Sequence, residues 1–381
     1  MRYKTIVKYV GVNDKTIDLF EGQFIVPNGI SYNSYVIIDE KIAILDTVDI
    51  NYKDEYLNNI KKALDGEKPD YLIINHMEPD HSASIEALVN EYPNILVVGN
   101  TKTSQMLKQF FPNLKYNEMV VKENDILSLG KHNLKFIFAP MVHWPEVMMT
   151  YDDFDKSLYS ADAFGKFGSL DYDDPEGWAC EARRYYFGIV GKYGLPVQNL
   201  FKKLAGTDIK IIRPLHGPVL DSNLDYYFNL YNIWSKYEPE ADAVSIAYTS
   251  VYGNTKKAAL MLADKITKDY DVFDLARDDF HEAIEGAFEN KYLVLATTTY
   301  CNEIYPKMLD FLNALRERGY QNRTIAIIEN GTWAPTAKKC IIDFINANFK
   351  DITLLDGITI KSALSDENIK QIEELAKILN K

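Results

Sequence analysis

Four ionisable side chains stand within six residues at His76, Glu78, Asp80 and His81, directly behind the apolar run 72–74. Ordering that much charge in one short segment costs desolvation and mutual repulsion that a bound cation offsets. The segment therefore calls for a rigid strand whose carboxyl end aims the side chains at a metal. The chain repeats the device. His143 follows an apolar run in Met141-Val142-His143-Trp144-Pro145, His216 does so in Arg213-Pro214-Leu215-His216-Gly217-Pro218, and Asp162 follows residues 157–160. Each is expected to leave a strand and enter a loop. Four imidazoles and three carboxylates are too many for one ion and suit two ions sharing a bridging carboxylate, roughly 3.5 Å apart. His132 and His281 lie outside this pattern and read as surface or hydrogen-bonded loop histidines. The aspartates near Asp162, at 152, 153, 155, 171, 173 and 174, read as mostly solvated.

Apolar runs at 36–38, 42–45, 72–74, 95–98, 134–138 and 209–212 have the length of buried strands, with helical patterns at 84–90 and 103–110 among them. The first half is thus a layered mixture of strands and helices. From residue 244 the rhythm becomes strand, helix, strand, helix, with strands expected at 244–248, 272–275, 292–296, 324–328 and 352–355. Such alternation builds a parallel, doubly wound sheet. A polar stretch at 236–242, with Pro239 opposing helix, separates the two patterns, so the boundary is expected near residue 242. A chain of 381 residues also exceeds what one core usually supports.

Behind the strand 244–248 comes Thr249-Ser250-Val251-Tyr252-Gly253-Asn254-Thr255, then a helix expected to begin near Lys256. Hydroxyls of Ser250 and Thr255, the flexible backbone at Gly253 and free amides at the helix start can surround a dianionic phosphate without lysine. A Walker loop and a Gly-x-Gly-x-x-Gly fingerprint are both absent. An ordinary capped turn would explain this loop alone. Two further loops favour a ligand: Thr297-Thr298-Thr299-Tyr300-Cys301-Asn302 and Glu329-Asn330-Gly331-Thr332-Trp333 both fall at carboxyl ends of strands. Tyr300 and Trp333 can stack on a flat ring.

The 42 basic and 55 acidic residues leave a net charge of −13, which disfavours nucleic acid and anionic lipid as partners. No run reaches the ~18 apolar residues of a membrane span, and residues 1–8 lack a signal peptide's apolar core. Cys180, Cys301 and Cys340 are too far apart for a disulfide framework or a thiolate cage. A cytoplasmic protein is expected.

At its ligand residues the first half resembles the metallo-β-lactamase superfamily, whose loop reads His-x-His-x-Asp-His where this chain has Glu78 in third place. A hard anionic oxygen replaces a borderline nitrogen there, shifting preference from zinc toward iron, which changes oxidation state as zinc does not. Residues 244–381 resemble flavodoxin, which binds flavin mononucleotide (FMN). Together they make nearly the whole chain similar to the flavodiiron proteins of the A type.

The resemblance implies an α/β fold: an N-terminal metallo-β-lactamase-like αββα sandwich over residues 1–242 and a C-terminal flavodoxin-like doubly wound parallel sheet over 243–381. It implies two Fe ions, one held by His76, Glu78 and His143, the other by Asp80, His81 and His216, with Asp162 bridging. FMN would be bound by the three loops, at Thr249, Ser250, Val251, Tyr252, Gly253, Asn254, Thr255, Thr297, Thr298, Thr299, Tyr300, Asn302, Asn330, Gly331, Thr332 and Trp333. The family often has a proline in the second loop and a Gly-Ser-Tyr-Gly-Trp-like third loop, from which Thr298 and the segment 329–333 depart.

The implied activity is reduction of dioxygen to water or of nitric oxide to nitrous oxide. Electrons are expected from a separate protein such as rubredoxin or a flavin reductase, since the chain has no Cys-x-x-Cys module. The family's head-to-tail homodimer, or a dimer of dimers, is expected too. Tyr185 and Tyr186 read as packing and stay outside the expected site. One rival is a metal-dependent hydrolase of the lactamase class with a regulatory flavodoxin-like domain, which Glu78 opposes. The other is an electron carrier with a docking module, which seven intact candidate ligands oppose.

Overall fold

A computed structural model describes residues 5–381; the first four residues of the stretch 1–8 lie outside the described part. The chain divides into two compact units, one reaching to Tyr231 and the other starting at Asn232.

The first unit contains two sheets. One runs β1 (Ile6–Tyr9), β2 (Tyr35–Ile38), β3 (Ile42–Leu45), β4 (Tyr71–Ile73), β5 (Leu96–Gly99) and β6 (Asn117–Val120), in that spatial order. The pairings among β1, β2 and β3 are antiparallel, and those from β3 to β6 are parallel. Parallel neighbours need crossovers, which helices such as Lys53–Leu64 and Thr101–Phe110 supply. The second sheet runs β7 (Ile126–Ser128), β8 (Asn133–Phe138), β9 (Met148–Asp152), β10 (Ser157–Tyr159) and β11 (Ile211–Arg213).

Side-chain alternation stacks the two sheets. Tyr35, Ile37, Ala43, Leu45, Ile73 and Val98 of the first share one apolar cluster with Leu134, Phe136, Met148 and Tyr159 of the second. The other faces are also covered, so all four residues of β3 are buried, as its unbroken apolar run requires. This is the metallo-β-lactamase-like sandwich expected from the sequence.

The second unit holds β12 (Ala241–Tyr248), β13 (Tyr270–Asp274), β14 (Asn290–Tyr300), β15 (Gln321–Asn330) and β16 (Lys350–Leu354), ordered β13-β12-β14-β15-β16 with every pairing parallel. Counted from the first strand, that is the doubly wound order 2-1-3-4-5, whose direction reverses between β12 and β14. Val244, Ile246, Val294 and Ile328 pack against Ala258, Ala259 and Leu262 of helix Asn254–Ala263 and Ile372 of helix Asp366–Leu379. The Arg323 guanidinium donates to the carbonyls of Tyr237, Glu238, Asn290 and Phe288, pinning the polar stretch ahead of β12. No helix among the described residues is long and apolar enough to cross a membrane.

Candidate metal and flavin sites

All seven sequence-expected metal residues converge in the first unit, in two groups. His76, Glu78, His143 and Asp162 form one, and Asp80, His81 and His216 the other, with the donor atoms of each group within 4.8 Å of one another. Asp162 faces both. Its Oδ2 lies 3.2 Å from His76 Nε2 and 3.0 Å from His143 Nε2, while its Oδ1 lies 3.4 Å from His81 Nε2. Glu78 Oε2 stands 2.9 Å from His143 Nε2, and Asp80 Oδ2 stands 3.2 and 3.3 Å from His81 and His216.

The fold aims these groups through named bonds. Behind β4, Asp46 accepts from the backbone N–H of Asn75 and His76 and from Asn75 Nδ2, fixing the turn that projects His76. Burial is the main cause that pushes Asp46 up to about 6. Asp80 and His81 were expected in a loop, but Pro79 starts a short helix, Pro79–Ser82, that carries both. Proline's fixed φ suits that first helical position. Beyond β11, Asn33 Nδ2 donates to Pro214 O and Gly217 O and so braces the loop bearing His216. Gly217 has φ +80, and a Cβ there would fall 2.6 Å from Lys166 Cγ, so any side chain beside His216 would strain the backbone and displace Lys166.

Hydrogen bonding on the far side of two rings settles which nitrogen faces inward. His76 Nδ1 donates to Glu146 Oε1 at 2.8 Å, and His216 Nδ1 donates to the Ser31 carbonyl at 2.7 Å. Each ring thus turns an Nε2 lone pair toward carboxylate oxygens. Both oxygens of Asp80 and of Asp162 are buried with no hydrogen-bond donor. Lone pairs confronting anionic oxygens in a dry pocket are stable only around cations, and mixed imidazole and carboxylate donors suit a pair of iron ions. The residues present therefore fit a dinuclear centre.

Without metal, protons occupy that role. Burial opposes charge on both partners, yet mutual attraction prevails: Asp162 is held well below the carboxylate range and His76 well above the ordinary imidazole value. Burial likewise lowers His143, but the carboxylates of Asp162 and Glu78, 3.0 and 2.9 Å from its Nε2, outweigh it and raise the ring to about 9.

Several residues at this site escaped the sequence reading. Glu146 lies three positions after His143, a spacing that could have flagged it. Tyr185, read from sequence as packing, sits with its ring 5.4 Å from His216 and its buried hydroxyl without a partner. Its hydroxyl is pushed well above the ordinary tyrosine value, first by burial and then by Asp162, Asp80 and Glu78. Tyr186 does pack, edge-on to Phe187 and Tyr231. Trp144, beside His143, stands edge-on to His76 at 5.4 Å. His132 Nδ1 donates to Asp152 Oδ2, outside both ligand groups, as its hydrogen-bonded reading implies.

In the second unit a cavity of about 510 Å³ opens at the carboxyl ends of β12, β14 and β15, lined by Val251, Tyr252, residues 298–302 and residues 330–334. Its size is that of a small-cofactor pocket. Tyr252 and Trp333 leave 94 and 89 % of their surface uncovered at its rim, as aromatic faces awaiting a flat ring would. Gly253, with φ +92, turns the chain into helix Asn254–Ala263, whose first amides are oriented for an anion.

Of the sequence-expected flavin residues, Thr249, Ser250, Gly253, Asn254, Thr255 and Thr297 stand outside that lining, and some of those within it have their hydroxyls or amides engaged. Thr249 and Thr297 are buried and bond each other through their hydroxyls at 2.7 Å, forming a floor. Ser250 Oγ accepts from Gly253 N, and Thr255 is buried at the start of the helix, both within the loop 249–255. Thr299 Oγ1 is engaged by the Thr336 and Ala337 amides, and Thr332 Oγ1 by Ser362. Asn330 exchanges hydrogen bonds with the Ser362 backbone. Cys301 and Ala334 line the cavity although sequence reasoning did not assign them.

A sandwich with two facing metal triads, followed by a doubly wound sheet with a flat-ring cavity at its switch point, defines a two-part redox metalloprotein. Comparison with known proteins narrows that class. Residues 30–217 match the family described as ODP family beta lactamase. A nitric oxide reductase of Moorella thermoacetica is 29% identical over 97% of this chain and 96% of its own. The crystal structure of the flavodiiron protein from Giardia intestinalis aligns with TM-score 0.91 at 25% identity, covering 98% of this chain and 94% of that one. The rubredoxin oxygen:oxidoreductase of Desulfovibrio gigas shares the fold, with TM-score 0.90 at 23% identity over 99% of this chain and 98% of that one. Over nearly its whole length the chain is similar to flavodiiron proteins.

Proposed function

We propose that this protein reduces dioxygen to water, nitric oxide to nitrous oxide, or both, using two irons in residues 1–242 and FMN in residues 243–381. When bound, the ferrous pair supplies open positions for a diatomic gas and the flavin supplies electrons. His76, Glu78 and His143 would hold one iron and Asp80, His81 and His216 the other, with Asp162 facing both. The observation that carries this reading is Glu78 Oε2, 2.9 Å from His143 Nε2 and 3.2 Å from His76 Nε2, where a lactamase-type hydrolase would place a third imidazole.

The remaining groups shape the pocket. Glu146 and the Ser31 carbonyl orient two rings. The unpartnered Tyr185 hydroxyl offers a hydrogen bond and a proton beside the metals, and Phe20, edge-on to His216 at 5.5 Å, helps keep water out. In the second unit Tyr252, Tyr300 and Trp333 would cover the flavin ring, and residues 249–255 would hold its phosphate. Names of relatives in the comparisons support both gases and a rubredoxin-type donor. A head-to-tail homodimer in the cytoplasm, with the flavin of one subunit serving the irons of the other, completes the proposal. Metal analysis together with anaerobic titration tests it: iron and FMN in the purified protein, both reoxidised by either gas, support it. Two zinc ions with ester turnover independent of flavin would favour the hydrolase.

A further inference from the structure

We propose that Glu146 is a positioning residue: its buried carboxylate fixes His76 as an Nε2 ligand and makes the iron at His76, Glu78 and His143 the first of the pair to lose an electron. This rests on the diiron reading above. Glu146 is fully buried; Oε1 accepts from His76 Nδ1 at 2.8 Å and from Met77 N at 2.9 Å, while Oε2 has no hydrogen-bond partner. Asn100 Nδ2 donates to its carbonyl at 2.5 Å and holds the backbone in place. Among the described residues no lysine or arginine pairs with it; its ion-pair partner is His76. An anion kept in a dry interior with one imidazole for company is costly, so its effect is directed at that ring.

The other triad is backed differently. His216 Nδ1 donates to a neutral carbonyl, that of Ser31, and His81 Nδ1 is buried without an acceptor. A carboxylate draws an Nδ1 proton more strongly than a carbonyl does and leaves Nε2 the more electron-rich ligand. Added negative charge beside one metal also favours its ferric over its ferrous state. The first oxidation therefore removes one electron from the iron bound by His76, and no bond forms or breaks.

Mössbauer spectra of protein reconstituted with ⁵⁷Fe(II) test this, before and after one equivalent of ferricyanide, which takes the electron and becomes ferrocyanide. The wild type is expected to show two distinct ferrous doublets, only one of which turns ferric. Glu146→Gln keeps the size and the acceptor for both N–H groups but removes the charge. It should retain its iron and shift one doublet alone. At a set potential its ratio of mixed-valent to diferrous protein should fall about tenfold, equivalent to about 59 mV for one electron. Both doublets moving together, or neither moving with the ratio unchanged, overturns the proposal. Should Glu146→Gln bind less iron, Glu146→Asp, which keeps the charge, must restore the wild-type ratio, and its failure to do so is equally fatal. A wild type that takes up no iron overturns the diiron reading as well, whereas failure of the Glu146 variants alone leaves that reading standing.

Discussion

His81 Nε2 and His216 Nε2 face each other at 2.9 Å with both rings fully buried. His216 has its Nδ1 proton committed to the Ser31 carbonyl, so its Nε2 brings a lone pair to this contact. A proton from His81 Nε2 closes this contact in the metal-free protein; a metal ion displacing it would meet two imidazole donors here, with Asp80 and Asp162 supplying the balancing charge.

Asp162→Asn removes the charge that both groups share. Loss of at least one metal ion per chain is expected, read by metal analysis of the purified variant. A full complement of metal would show that Asp162 is not the bridge.

Stripping the metal with a chelator should lower the melting temperature. With free ferrous ion about 100-fold above its dissociation constant, binding stabilises the folded state by about 2.7 kcal/mol. Differential scanning calorimetry of stripped and reloaded protein checks this; identical melting temperatures would contradict it.

Iron affinity should rise with pH. The metal-free His143 keeps its proton up to about pH 9, so an incoming ion must displace that proton at neutral pH. Competition by protons weakens as pH increases, and affinity climbs by up to about tenfold per unit for each proton displaced. Chelator competition at pH 6, 7 and 8 measures the slope, and a flat or falling profile would be inconsistent with these tautomers.

Tyr185→Phe deletes a buried hydroxyl that has no partner in the protein. Folding stability should hold or rise by up to about 1 kcal/mol, and both irons should remain. Turnover with gas should fall by about 10²-fold if the hydroxyl supplies a proton. Unchanged turnover would reduce Tyr185 to packing, as its sequence context suggested.

Much of this site was legible in the sequence because strand ends convert linear spacing into convergence. His76, His143, Asp162 and His216 each sit just past an apolar run, and the sheets bring those ends together. The doubly wound unit was legible for a similar reason, since its strands are continuous apolar segments. Glu146 and Tyr185 were not, because their roles depend on what a ring's far side touches or where a helix face points. Thr249 and Thr297 carry the opposite lesson: both lie in ligand loops, yet their hydroxyls satisfy each other. Pro79 could have signalled the helix bearing Asp80 and His81, since proline favours a first helical turn.

Trp333→Ala uncovers one wall of the cavity in the second unit. Loss of an aromatic stacking partner is worth about 0.5–1.5 kcal/mol, so FMN affinity should fall roughly two- to twelvefold. Fluorescence titration of the flavin-free protein with FMN gives the value, and unaltered affinity would place the ring elsewhere.

The central claim is that iron and flavin in this chain form one redox unit that consumes a diatomic gas. Anaerobic stopped-flow mixing of the fully reduced, iron-loaded and FMN-loaded protein with dioxygen or nitric oxide tests it most directly. Flavin and iron absorbance should return to their oxidised values within the same turnover for at least one of the gases. Iron that stays ferrous in the presence of both, or a protein that purifies with zinc alone, would contradict the account.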